Sequence, residues 1–212
     1  LDPAQTAAAI AVARSQRGGL AGVVHAAGLP GDGFIMSKDD ATFAAVLEPK
    51  VRGTDVLLAA LADDPPAFVL LCSSMTAVFG AVGQSDYAAA NAYLDGTALR
   101  GGATRIVALD WTGWAESGMA HERGIEGGGF RTAFVDDETG AGLAVAAIGS
   151  RSARLLVGSF DPEVVAREHD ELERVVDVAL VSARAPRGVT PAARIVSGRA
   201  GLRSLEEIVV RG

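Results

Sequence analysis

The stretch AFVLLCSS at residues 67–74 joins an uninterrupted apolar run to two serines at its end. A run that is apolar on both faces predicts a parallel strand buried between two layers of helices. Open sheets of this kind bind their ligands beyond the carboxyl ends of the strands. Ser74 is therefore predicted to lie at the functional edge of a central strand.

Similar apolar runs and helical patterns alternate on both sides of this stretch. Further strands are predicted at residues 21–26, 106–110 and 153–158. Helices are predicted from Asp2 and Pro3 to about residue 14, from the acidic turn near Ser37 to Pro49, and over residues 50–62, 84–100 and 136–148. Strands separated by helices imply right-handed crossovers, so the predicted fold class is α/β with a doubly wound parallel sheet.

Two regions fall outside this alternation. Residues 115–131 contain five glycines, which predicts a loop that could act as a lid. From about Glu171 the pattern weakens, and the end of the chain could be a linker, a partner-binding segment or extra strands. The predicted division is a catalytic portion at residues 1–160 and a C-terminal helix with a linker or partner-binding tail at 161–212.

Composition excludes several classes of function. The net charge of -7 argues against nucleic-acid binding, which needs clustered lysine and arginine. No apolar stretch approaches the roughly 20 residues of a membrane helix, and the start at Leu1 lacks signal-peptide character, so a cytoplasmic protein is expected. The single Cys72 excludes an internal disulfide, and three scattered histidines predict no metal site.

Four polar residues form a set suited to carbonyl chemistry. Tyr87 and Asn91 are four residues apart on a predicted helix, so they share a face that can point toward Ser74. Lys50 precedes Ser74 by twenty-four residues. Hydride delivery to a ketone produces an alkoxide that needs a proton donor and hydrogen bonds. A nearby ammonium would bring the pKa of the Tyr87 phenol toward working pH, and Asn91 would hold a water or orient Lys50.

Several motifs, taken together, resemble the ketoreductase domain of modular type I polyketide synthases, within the short-chain dehydrogenase/reductase family. They are GVVHAAG (22–28), EPKVRG (48–53), CSS (72–74), GQSDYAAANA (83–92) and ALDW (108–111). Their order and spacing agree over roughly residues 1–160. In this subgroup the lysine precedes the serine and an asparagine follows the tyrosine by four residues, as Lys50 and Asn91 do here.

The resemblance implies the C-terminal part of a Rossmann-like fold and reduction of a β-ketoacyl thioester on an acyl carrier protein by NADPH. Tyr87 would donate the proton, Ser74 would orient the ketone, and Lys50 and Asn91 would complete a tetrad. Ala26, Ala27, Gly28, Lys50, Tyr87, Trp111 and Gly113 would bind the cofactor, and Asp32, Phe79, Gln84 and Met119 the substrate.

The sequence also departs from the family pattern. The glycine-rich cofactor loop does not occur in these 212 residues, so residues outside the chain would have to supply it. Only Asp32 matches the Leu-Asp-Asp signature of one stereochemical subtype, which favours an R-configured hydroxyl product. Two alternatives stay open: an inactive reductase-like scaffold within a megasynthase, and a free-standing short-chain dehydrogenase that acts on a small alcohol. The expected partners are the carrier protein and the remaining half of the reductase or other synthase domains.

Overall fold

The computed structural model describes residues 2–125, 132–160, 179–182 and 194–196. The chain divides into two compact units, Leu1–Ala108 and Leu109–Gly212. The predicted boundary between residues 160 and 161 stays a prediction, because most of the proposed tail lies outside the described residues.

In the first unit, helices and strands alternate as predicted. Its elements are α1 (Pro3–Arg17), β1 (Gly22–His25), a 3₁₀ helix (Ile35–Ser37), α2 (Asp40–Lys50), α3 (Arg52–Leu61), β2 (Phe68–Ser74), α4 (Thr76–Phe79) and α5 (Ser85–Arg100). Strand β3 (Arg105–Trp111) crosses the boundary between the units. The strands predicted at 21–26, 67–72 and 106–110 are confirmed to within two residues.

The helices begin and end at residues whose side chains or conformations fit those positions. The Asp2 carboxylate accepts a hydrogen bond from the Ala4 amide at 2.8 Å, and Asp39 accepts one from Thr42 at 2.7 Å. Such caps satisfy amides that have no partner within the helix. Gly18 ends α1 with a φ of 71°, a left-handed conformation that favours glycine.

Strand β2 forms the centre of the first unit's core. It pairs with β1 in parallel, with Gly22 opposite Phe68 and His25 opposite Leu71. Its fully buried residues pack with side chains of the neighbouring helices. This cluster contains Ile10, Leu61, Val69, Leu71 and Leu94. Burial of each large aliphatic side chain contributes about 1.5–3 kcal/mol, which holds the end of β2 in place.

The helix boundary near Lys50 corrects the prediction from sequence. Pro49 was expected to end one helix and Lys50 to begin the next, but α2 continues through Pro49 and ends at Lys50, and α3 begins at Arg52. Proline has no backbone N–H, so Pro49 costs α2 one hydrogen bond in its last turn without ending the helix before Lys50. The Val51 amide still donates to the Leu47 carbonyl at 2.8 Å. Lys50 therefore lies at the carboxyl end of α2.

The second unit adds antiparallel strands to a parallel pair. Its elements are α6 (Gly118–Glu122), β4 (Thr132–Ala133), α7 (Asp137–Ile148), β5 (Arg154–Phe160), β6 (Ala179–Ser182) and β7 (Arg194–Val196). β5 pairs in parallel with β6, while β4 with β5 and β7 with β6 are antiparallel. The predicted strand at 153–158 and the helix at 136–148 are confirmed, and so is the α/β class with parallel pairing.

Two expectations for the second unit change. The segment 115–131 is not entirely loop-like, because residues 118–122 form α6, and the glycines at 127–129 lie outside the described residues. Alanine, methionine and glutamate in this short run are good helix formers. Of the alternatives for the tail, extra strands are found at β6 and β7. The helix predicted there and the rest of the tail fall outside the described residues.

Candidate active site

The carboxyl end of β2 presents Ser74 beside helix α5. Ser74 is the last residue of β2, and its Oγ accepts a hydrogen bond from the Thr76 amide at 3.2 Å. The preceding Ser73 donates its hydroxyl to the backbone carbonyl of Asn91 at 3.2 Å. This bond ties the strand end to the middle of α5, as expected for a site at the carboxyl edge of a parallel sheet.

Lys50 places its ammonium group at this same strand end. The residue is only 2% exposed, and its Nζ donates a hydrogen bond to the Cys72 carbonyl at 2.7 Å. Burial lowers the pKa of Lys50 to about 8, while charge interactions with Cys72 and Asp95 act in the opposite direction. Lys50 is therefore a buried ammonium group that loses its proton at about pH 8.

Tyr87 lies in the first turn of α5 and faces this cation. Lys50 Nζ is 5.9 Å from the centroid of the Tyr87 ring. Burial raises the pKa of the Tyr87 phenol, and hydrogen bonding to Asn91 and Ser74 partly offsets the effect. The structure therefore brings Lys50, Ser74, Tyr87 and Asn91 into one cluster within the first unit.

The direction of the Tyr87 shift differs from the expectation based on sequence. The neighbouring ammonium was expected to bring the phenol pKa down toward working pH, but desolvation raises it. The free-energy cost of burying the phenolate exceeds the stabilisation that the hydrogen bonds from its polar neighbours provide. The phenol accordingly keeps its proton at neutral pH, the state that a proton donor requires.

Asn91 contacts Tyr87 from one turn further along α5. Its Nδ2 donates a hydrogen bond to the Tyr87 backbone carbonyl at 2.7 Å, and the Cys72 carbonyl accepts the hydrogen bond from Lys50. The predicted role of Asn91, to hold a water or orient Lys50, stays a prediction. Asn91 is fully buried, and its Oδ1 has no hydrogen-bond partner among the described residues. An unsatisfied buried acceptor is costly, so Oδ1 is suited to receive a donor from a water or a bound molecule.

Two further ionisable residues next to Lys50 were not identified as site residues from the sequence. Asp95, one turn beyond Asn91 on α5, is 3% exposed and raises the pKa of Lys50. His25, at the end of β1, has its pKa lowered by burial and by the charge of Lys50. The periodicity of α5, with polar residues at 87, 91 and 95, is a signal that could have identified Asp95.

The residues predicted to contact the cofactor ribose lie at the adjacent strand end. Ala26, Ala27 and Gly28 follow β1 directly, and β1 runs parallel to β2 with His25 opposite Leu71. Ala26 and Ala27 are exposed. Small residues here permit close approach of a ligand, and the charge of Lys50 acts on His25, the residue just before them. The first unit's residues therefore fit a nicotinamide nucleotide at this edge.

Three of the residues predicted to contact the substrate lie in the first unit, two of them between Ser74 and Tyr87 in the sequence. Phe79 is half-buried at the end of α4, and Gln84 directly precedes α5. Asp32 is exposed in the connection between β1 and α2. Their contact with a substrate stays a prediction.

Trp111, Gly113 and Met119 belong to the second unit. Trp111 packs edge-to-face on Trp114, with ring centroids 4.9 Å apart. Gly113 is tightly packed, because an added Cβ would overlap the Phe134 ring. Met119 is half-buried in α6. The contacts predicted for these three residues with the cofactor and the substrate stay predictions.

Within the described part of the chain, no group of three or more His, Cys, Asp or Glu residues is arranged to hold a metal ion. The same residues include no helix with the length and apolar character needed to cross a membrane.

Comparison with known proteins identifies the family. The family model described as KR domain matches residues 1–116, more than half of the chain. The chain belongs to the KR domain family. The match covers the whole Lys50–Ser74–Tyr87–Asn91 cluster.

Curated relatives of this KR domain are polyketide synthases. Polyketide synthase ThaG of Burkholderia thailandensis is 42% identical over 108 residues, which are 47% of this chain and 2% of that protein. Polyketide synthase GfsB of Streptomyces halstedii is 45% identical over 113 residues, 52% of this chain and 2% of that protein. The chain thus spans only a small part of the length of these relatives.

Solved structures similar to this KR domain are Rossmann-like ketoreductases. A ketoreductase domain from the bacillaene assembly line aligns with a TM-score of 0.61 and 27% identity, covering 72% of this chain and 39% of that one. The first ketoreductase of the tylosin polyketide synthase aligns with a TM-score of 0.60 and 28% identity, covering 73% and 34%. They support the resemblance drawn from the motifs and the α/β fold class.

Proposed function

We propose that this KR domain is the catalytic portion of a ketoreductase that reduces a β-ketoacyl thioester to a β-hydroxyacyl thioester during polyketide synthesis. The observation that carries the proposal is the buried cluster of Lys50, Ser74, Tyr87 and Asn91. A hydroxyl, a protonated phenol and a buried ammonium converge there at the carboxyl end of β2. These groups meet the needs of a ketone that becomes an alcohol.

Tyr87 acts as the proton donor in this proposal. Its raised pKa keeps the phenol protonated until negative charge develops on the ketone oxygen. The Ser74 hydroxyl, at the strand end, binds that oxygen and orients the carbonyl. Lys50, held by the Cys72 carbonyl, places a positive charge near the phenol and stabilises the anionic oxygen left on Tyr87.

NADPH is the proposed cofactor. When bound, its nicotinamide supplies the hydride that the carbonyl carbon receives. Within the first unit, Ala26, Ala27, Gly28, Lys50 and Tyr87 would hold it, and the buried Asn91 Oδ1 offers an acceptor to a water or a hydroxyl. Trp111 and Gly113 are proposed as further contacts from the second unit.

We further propose that residues outside these 212 supply the glycine-rich cofactor loop. Support comes from β1, where Val24 is 60% exposed although the strand is apolar. Additional chain packed on β1 would cover that side chain. The remaining half of the reductase and other synthase domains are the proposed protein partners.

The proposed substrate is carried on the phosphopantetheine arm of an acyl carrier protein. Asp32, Phe79, Gln84 and Met119 are the residues that we propose contact it. Asp32 stands at the last position of the signature associated with R-configured alcohols, so an R product is proposed. The small ketone of a free-standing dehydrogenase is the competing substrate.

Removal of the phenolic oxygen of Tyr87 tests this function. The chain contains two tyrosines, Tyr87 and Tyr93, both on α5, which makes Tyr93→Phe a matched control. The chain is purified with the segment that binds the cofactor, and NADPH oxidation is followed with a β-ketoacyl thioester. We expect Tyr87→Phe to reduce turnover at least about a hundredfold, because the phenol is the proton donor, and Tyr93→Phe to retain it.

Undiminished turnover in Tyr87→Phe would reject the tetrad. Absence of saturable NADPH binding to the intact assembly would instead favour the inactive scaffold. Equal rates with carrier-free small ketones and with thioesters would favour the free-standing dehydrogenase.

A further inference from the structure

The chain has two lysines among its 19 basic residues, and both have buried side chains. Lys50 belongs to the tetrad. Lys38 belongs to none of the motifs described above and lies in the connection between β1 and α2, with a side chain only 3% exposed. A buried ammonium is costly unless it is paired, so the partner of Lys38 is informative.

That partner is Asp86, the residue immediately before Tyr87. Lys38 Nζ lies 2.5 Å from Asp86 Oδ1, and the Asp86 side chain is fully buried. The same Oδ1 accepts a hydrogen bond from the Tyr87 amide at 2.8 Å. Lys38 Nζ also donates to the Gly83 carbonyl at 3.4 Å. One carboxylate oxygen therefore links Lys38 to the backbone of the tyrosine that carries the chemistry.

Close backbone packing accompanies this ion pair. Residues 31–38, which connect β1 to α2, form what we name the 31–38 segment. A Cβ added at Gly31 would overlap the Asp86 carboxylate and lie 3.0 Å from Tyr87 Cβ. A Cβ added at Gly83 would lie 3.5 Å from the Gly33 backbone. The 31–38 segment thus contacts both the first turn of α5 and the loop that precedes it.

We propose that Lys38 is a positioning residue for ketone reduction: through Asp86 it fixes the 31–38 segment against the first turn of α5 and so sets the position of the Tyr87 phenol relative to Ser74. The inference rests on the proposed function, because positioning has meaning only if Tyr87 donates a proton. The 31–38 segment also contains Asp32, so the same ion pair positions a proposed substrate contact.

The energetics of buried ion pairs separate this role from simple stabilisation. Replacing both partners of such a pair by well-packed apolar residues of similar volume is often neutral or stabilising, whereas removing one partner leaves an unpaired buried charge and is strongly destabilising. The double variant Lys38→Met/Asp86→Asn leaves no unpaired charge and keeps a side-chain oxygen for the Tyr87 amide, so it should fold about as well as the wild type. A displacement of about 1 Å at a reacting group can cost a hundredfold in rate. The double variant should fold, yet turn over slowly.

The experiment compares four variants in the intact reductase: Lys38→Met, Lys38→Arg, Asp86→Asn and the double variant. Thermal unfolding and steady-state NADPH oxidation with a β-ketoacyl thioester are measured for each. We expect the folded double variant to show kcat at least about tenfold below wild type with the KM for NADPH changed less than about twofold. Lys38→Arg, which keeps the charge, should recover most of the turnover lost in Lys38→Met. The matched control is Asp64→Asn, which removes a carboxylate 72% exposed in its pair with Arg14.

A folded double variant with turnover within twofold of wild type would overturn the proposal. So would a loss of turnover equal in Lys38→Arg and Lys38→Met. Tyr87→Phe is run in parallel to separate the two hypotheses: full activity in Tyr87→Phe rejects the proposed function itself. Loss of activity in Tyr87→Phe with full activity in the double variant rejects only the role of Lys38.

Discussion

Lys50 and Tyr87 meet across the end of β2, with the ammonium nitrogen 5.9 Å from the centre of the phenol ring. The Cys72 carbonyl accepts a hydrogen bond from Lys50, and the first turn of α5 carries Tyr87. Burial acts on both groups in the direction that favours their neutral forms, lowering the pKa of Lys50 and raising that of Tyr87. At neutral pH both groups hold a proton, and in the proposed function the phenol is the group that gives its proton to the substrate.

The raised pKa of Tyr87 can be measured without a cofactor or substrate. In Tyr93→Phe, Tyr87 is the single tyrosine in the chain, so ultraviolet absorbance of tyrosinate reports on it alone. We expect its titration midpoint to lie above the usual value of about 10, because burial disfavours the phenolate. The Tyr87→Phe variant measures Tyr93 separately, whose pKa is raised by a different cause, the hydrogen bond from its hydroxyl to Asp55. A midpoint at or below 10 would contradict this environment for Tyr87.

The pH dependence of turnover should report the proton on Lys50. Below its pKa of about 8 the ammonium is charged, and above that value the charge is lost. We expect kcat/KM for the ketone to fall as pH rises through about 8, while the phenol remains protonated. In Lys50→Arg the cation persists at all these pH values, so any residual activity should not fall between about pH 7 and 9. A decline that is the same in both proteins would assign the titration to another group.

Lys50 should also carry a measurable cost in stability. Its pKa is about 8 in the folded chain against 10.5 when exposed, so between these values the unfolded chain binds more protons and stability rises with pH. The penalty is complete below pH 8 and absent above 10.5. We expect the wild type to gain about 2 kcal/mol in free energy of unfolding relative to Lys50→Met between pH 7 and 10. Urea unfolding of both proteins at the two pH values measures this difference, and a constant difference would contradict it.

The sequence predicted those features that local patterns determine. The apolar runs located strands β1, β2, β3 and β5, and aspartates at positions 2 and 136 marked helix starts where their carboxylates accept backbone amides. The tetrad was identified from motif order and the four-residue spacing of Tyr87 and Asn91. The structure confirms that these residues lie together.

Features that depend on tertiary contacts could not be predicted in the same way. The sign of the Tyr87 shift depends on how much water the fold removes from the phenol. The Lys38–Asp86 pair joins residues 48 positions apart, so nothing local in the sequence brings them together.

The tight contact at Gly31 provides a test of how closely the 31–38 segment must approach Tyr87. A Cβ there would overlap the Asp86 carboxylate, which the ion pair with Lys38 holds in place, and would crowd Tyr87 Cβ. We expect Gly31→Ala to lower the free energy of unfolding by about 1–3 kcal/mol and to reduce turnover, because the segment or the first turn of α5 must shift. The measurements are urea unfolding and NADPH oxidation.

Gly96→Ala is the control, because it adds the same methyl group at a position where the methyl meets no neighbouring atom. Gly96 lies inside α5, is exposed, and has nothing within 4 Å of an added Cβ. Alanine favours a helix over glycine by about 0.5–1 kcal/mol, so this variant should be more stable than the wild type, with turnover unchanged. Should Gly31→Ala behave like Gly96→Ala, the segment does not press on Tyr87, and the link between the ion pair and the phenol would lose its structural basis.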